Sequence, residues 1–159
     1  MIVSNAEGRA RSGTNPEIPI MSTTSFFSSP RFLSRVMWAD AASCAATGAL
    51  QLLFTEPLAR LTGLPAALLG STGLFLLGYA ALAAWMAGRA TPPRGLIGFV
   101  VIGNFGWALG CIALLASGTF PVSAWGVAWV LAQAACVVVL AELQWTGLRR
   151  TRTGRAVAA

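Results

Sequence analysis

The chain has 159 residues, of which 56% are hydrophobic and only 10% charged, a composition far from that of a soluble globular domain. All eleven basic residues are Arg and there is no His, so the net charge of +6 is a matter of arginine placement. Imidazole ligation of haem or metal and a Ser-His-Asp triad are thereby excluded, and there is neither a Walker A loop nor a dinucleotide-binding GxGxxG turn. Basic patches with interleaved aromatics, the footprint of a nucleic-acid binder, are also absent. The expected class is all-α: an antiparallel up-down bundle of four transmembrane helices behind a disordered N-terminal tail. No catalytic residue, metal or cofactor is expected, and the chain is read as non-enzymatic.

Residues 1–30 are rich in Ser, Thr, Gly, Pro and Asn, too polar to offset chain entropy by burial, and are expected to be disordered. Met21 offers an alternative start. A signal peptide is not expected, because the apolar run that follows is too long for an h-region and no A-x-A site closes it.

The first span is expected at residues 36–54, nineteen residues against the roughly 20 that cross a ~30 Å hydrocarbon core. Leu58 and Leu61 then suggest one interfacial turn before Pro65 opens a second span at residues 65–87, at the position where proline suits a helix start. Pro92 and Pro93 separate it from a third span at residues 96–116. A fourth runs over residues 122–145, and residues 149–159 form a basic tail.

Orientation follows from the arginines, because short loops rich in Arg stay cytoplasmic. Arg31 and Arg35 precede the first span, Arg89 and Arg94 flank the second loop, and Arg149, Arg150, Arg152 and Arg155 crowd the tail. The other two loops hold only Arg60. Both termini are therefore expected inside a bacterial inner membrane, with the tail against anionic lipid headgroups. Trp38, Trp85, Trp125 and Trp145 fall at span ends, while Trp107 and Trp129 lie deeper and are expected to pack between helices.

Within the spans, Asp40, Ser43, Thr47 and Gln51 recur at three- and four-residue intervals and so share one helix face. Such a stripe reads as interhelical glue, with a polar pathway as the alternative. Asp40 stands out, since an acid inside a span is costly. It is expected about 7.5 Å beyond Arg35, in a rim cluster with Glu142 and the arginines of that side. Asn104 and Gln133 can add hydrogen bonds between helices. Gly103, Gly106 and Gly110 form a small-residue stripe with a GxxxG pair, which predicts a close helix contact. Cys44, Cys111 and Cys136 lack disulfide or metal-ligand spacing and read as small apolar filler.

Several phrases resemble a group of small uncharacterised four-span bacterial membrane proteins: Arg31 with Trp38, Ala39 and Asp40; LTGLPAALL at 61–69; VIGNFGWAL at 101–109; and VLAQAACVVVLAELQWTGLRR at 130–150. The resemblance spans residues 31–150 and implies the four-span architecture but no activity. Two functions follow as expectations: an accessory or self-associating component of a membrane complex, or a small-molecule or ion transporter using Asp40, Gln51, Asn104, Gln133 and Glu142.

Overall fold

The computed structural model describes residues 30–89 and 93–156, and the side chains of 31–89 and 93–149. The described residues are all-α: α1 Pro30–Leu53, α2 Thr55–Thr62, α3 Ala66–Ala87, α4 Arg94–Ser117 and α5 Ala124–Ala156. Apart from Pro30, which opens α1, the segment expected to be disordered lies outside these residues. The helices α3, α4 and residues 124–149 of α5 are long and apolar enough to cross a membrane, and the chain is a helical membrane protein. At 24 residues α1 is as long as α4, yet Arg31, Arg35, Asp40 and Gln51 lower its hydropathy, so three helices rather than four stand out by composition.

Helix ends follow local chemistry. The turn expected after the first span is a helix of its own, α2, closed by Gly63 in the left-handed region at φ 75° with its N–H on the Ala59 carbonyl. Pro65 stands just ahead of α3 rather than inside it. Gly118, at φ 60°, ends α4 in the same left-handed way. The last helix does not stop at residue 145 but runs to Ala156, 33 residues or about 50 Å. That exceeds the ~30 Å core, so its arginine-bearing end extends past the hydrocarbon when α5 spans it.

Two helix pairs make up the bundle, α1 with α3 and α4 with α5, joined chiefly through α1 and α5. Residues ascending α1 meet residues descending α3: Met37 and Ala41 pack on Ala83 and Met86, and Cys44 on Leu76 and Ala80. The closest approach is at Gly48 and Gly73, where a Cβ on Gly48 would stand 2.8 Å from the Gly73 carbonyl oxygen. Here the missing side chains are what let two backbones touch. Phe32 and Val36 of α1 meet Leu140 of α5. Ala108 of α4 packs on Ala134 and Val137 of α5.

The stripe on α4 corrects the sequence reading. A Cβ built on Gly103, Gly106 or Gly110 meets nothing within 4 Å, so no helix packs against it among the described residues. The pairing of α4 with α5 uses its other face, through Ala108 and Cys111. Between α3 and α4 there is no close backbone contact among the described residues. Only side chains bridge this edge, chiefly the stacked rings of Phe75 and Trp107, 5.6 Å apart and within 4° of parallel.

Interhelix hydrogen bonds fasten the ends. Ser34 Oγ donates to the Ala87 carbonyl at 2.7 Å, and Arg94 Nη2 donates to the Leu148 carbonyl at 2.7 Å. At the opposite end, Ser123 donates from its backbone N–H to the Thr62 carbonyl and from Oγ to the Leu61 carbonyl. Gly126 lies so tight against the Thr62 carbonyl that no Cβ would fit.

Candidate functional site

Asp40 lies ten residues from the start of α1, about 15 Å along the helix, and is fully buried. Asn104 is ten residues into α4 and Tyr79 eight before the end of α3, so the antiparallel packing brings them to one level. Gln144 of α5 completes the set. Asp40 Oδ2 accepts from Gln144 Nε2 at 2.7 Å, from the Tyr79 hydroxyl at 2.8 Å and from Asn104 Nδ2 at 3.2 Å. Its other oxygen, Oδ1, accepts from the Cys44 thiol at 3.6 Å. Asn104 Nδ2 also lies 3.3 Å from Gln144 Oε1, and the Tyr79 hydroxyl has Asn104 Oδ1 as a second acceptor at 3.3 Å.

One polar residue from each of the four long helices thus converges on a single carboxylate. Every neighbour presents a donor, the complement of an acid that accepts on both oxygens. A buried carboxylate without such partners would be strongly unfavourable, and a partly satisfied network would be worse than an apolar core.

This overturns the rim cluster expected from the sequence. Among the described residues no arginine is a partner of Asp40. Starting at Pro30 rather than residue 36, the helix carries Asp40 deeper into the bundle, while the arginines find partners at the periphery. Arg89 lies over the Trp85 ring at 4.3 Å and Arg149 over Trp145 at 5.1 Å. Glu142 does not join either: it is exposed, and two residues of helix turn it about 200° away from Gln144.

The remaining candidates gather elsewhere. Gln51, buried near the far end of α1, accepts from Thr72 Oγ1 of α3 at 3.0 Å through Oε1. With Gln133 of α5 it lines a cavity of about 390 Å³ at the open edge between α3 and α4. Gly106 and Gly110 form part of its wall. The glycines expected to bring helices together instead hold space open. Gly103, with Tyr79 and Asn104, lines a smaller cavity of about 130 Å³ on the carboxylate side of Trp107.

Of the sequence candidates, then, the structure unites Asp40 with Asn104, groups Gln51 with Gln133, and leaves Glu142 outside. Tyr79 and Gln144 were not anticipated, although Tyr79 is the single tyrosine of the chain and lies within an apolar span. Among the described residues no group of three His, Cys, Asp or Glu side chains could hold a metal ion. Comparisons with family models, curated proteins and solved structures return no match.

Proposed function

We propose that this is a non-enzymatic four-span protein of a bacterial inner membrane, with both termini cytoplasmic, serving as an accessory or self-associating component of a membrane complex. The observation that carries the reading is the Asp40 node. Its acid and amides bind one another across four helices, which is the role of a lock rather than of a reactive group. A fourth span is supported by where α1 puts its polar groups. Asp40 and Gln51 are buried, while Trp38, Leu50, Leu52 and Leu53 are exposed, so the outward face suits lipid. Cytoplasmic termini and an up-down order are supported by the arginine distribution and the antiparallel neighbours.

The connections between the long helices are short, and among the described residues α2 is the only added element in them. With connections this short, partners are met through helix faces within the membrane, or through the arginines at the end of α5. A carrier role is the second reading, favoured by the cavity at the α3/α4 edge.

Purification of the full chain in mild detergent, with light scattering and identification of companions, tests the first reading. The expected result is a discrete homo-oligomer or a stoichiometric partner. A lone monomer across several mild detergents contradicts it.

A further inference from the structure

The 390 Å³ cavity between α3, α4 and α5 has the size and the mostly apolar walls of a small-molecule site between bundle helices. Its polar groups set it apart from a simple packing defect. Among the described residues the Gln133 amide makes no hydrogen bond, and Gln51, whose Oε1 accepts from Thr72, has an unengaged Nε2. Trp129 also contributes to the wall, and its indole N–H, shielded from the cavity, is without a partner among the described residues. Trp129 and Gln133 are four residues apart, one above the other on α5. Within a bilayer each unmet polar group costs free energy that no bulk water repays. Such groups call for an occupant.

The walls also specify its chemistry. No charged side chain lines the cavity, so the occupant is neutral. Two amide N–H groups, of Gln51 and Gln133, stand against one free side-chain carbonyl, that of Gln133, with the shielded Trp129 indole N–H as a further donor, so the occupant must chiefly offer acceptors. Two indoles, Trp107 and Trp129, add aromatic surface to the wall against which a flat ring can pack. From Leu114 to Trp107 the cavity follows seven residues of α4, about 10 Å, short of the ~15 Å leaflet depth that a lipid acyl chain fills.

We propose that this cavity binds a compact, neutral ring carbonyl compound of the benzoquinone type, entering sideways from the bilayer between α3 and α4. Its carbonyl oxygens accept from the side chains of Gln133, Gln51 and, after a small ring rotation, Trp129. The opening exists because Gly106 and Gly110 carry no side chain there, and nothing lies within 4 Å of either missing Cβ. The proposal adds to the component role above and does not depend on it.

The test uses the purified full-length protein in dodecyl maltoside, titrated with ubiquinone-1 and, separately, with dilauroylglycerol, which offers ester carbonyls on acyl chains. Tryptophan quenching and melting temperature are read together. Ubiquinone-1 is expected to quench saturably and raise the melting temperature, with dilauroylglycerol inert. Gln133→Leu should weaken ubiquinone-1 binding by about tenfold, the effect of one hydrogen bond, while leaving the ligand-free protein at least as stable. Gly110→Leu, whose side chain enters open space, should abolish binding in a folded protein. Unchanged binding in either variant, no saturable effect with ubiquinone-1, or an effect with dilauroylglycerol alone would overturn the proposal. A Gln133→Leu protein that melts well below the parent would likewise overturn it, because the amide would then be structural.

Discussion

Replacing Asp40 with leucine removes the acceptor on which α3, α4 and α5 converge. Three interhelix hydrogen bonds are lost at once, from Tyr79, Asn104 and Gln144, together with the intrahelical one from Cys44. Each interhelical bond in a membrane contributes on average about 0.6 kcal/mol and at most about 1.7. The stranded donors do not fare equally. Tyr79 can turn to Asn104 Oδ1 and Asn104 to Gln144 Oε1, but Gln144 Nε2 keeps no partner, at a further cost of about 1–3 kcal/mol. The expected loss is about 3–5 kcal/mol for Asp40→Leu. For Asp40→Asn it is about 1–2 kcal/mol, because one oxygen still accepts but without charge. Reversible unfolding in mixed micelles of dodecyl maltoside and SDS, followed by circular dichroism, measures both. In a double-mutant cycle, Asp40→Leu with Gln144→Leu should lose less than the sum of the single variants, because the second change removes the stranded amide. Glu142→Gln, in the same layer but exposed, should change nothing. An Asp40→Leu protein as stable as the parent, or strictly additive losses in the cycle, would refute the lock.

Other consequences concern the close contacts. Gly48→Leu and Gly73→Leu should each destabilise the bundle by several kcal/mol or prevent folding, since a Cβ on Gly48 would enter the Gly73 carbonyl and one on Gly73 would stand 3.1 Å from Gln51 Cβ and Leu52 Cγ, with no room for a longer side chain. Gly106→Leu should melt within a few degrees of the parent, because its side chain would enter open space; a collapse there would show that α4 packs through its glycine stripe after all. Gly126→Ala should cost about 1–3 kcal/mol by pushing α5 off the Thr62 carbonyl, and a neutral result in the same unfolding assay would contradict that contact. Ser123→Ala should loosen the α2/α5 junction, read as faster amide exchange at Gly63 and Leu64.

How much of this was legible in the sequence depended on contrast. Asp40 and Asn104 stand out because acids and amides in apolar spans carry a cost that packing must answer, and both lie in the node. Gln144 was hidden beside Glu142: the layer could be counted along the helix, but the face could not. A span that is apolar on every side carries no periodicity to orient it, and only the packed structure shows Val137, Leu140, Ala141 and Gln144 on the inward face. The GxxxG stripe misled for the same reason. Its spacing places glycines on one face without saying whether a helix or an opening lies opposite, while the effective contact at Gly48 and Gly73 carries no motif at all.

The account depends most on α1 crossing the membrane as a fourth helix, and single cysteines in a variant lacking Cys44, Cys111 and Cys136 test this directly. In intact spheroplasts, a membrane-impermeant maleimide should label cysteines placed at Glu56 and at Ser117 or Thr119. Cysteines at Ser29 and Gly88 should react only after the membrane is opened. Labelling of Ser29 and Glu56 from the same side would mean that α1 does not cross, and the four-span bundle locked by Asp40 would have to be abandoned.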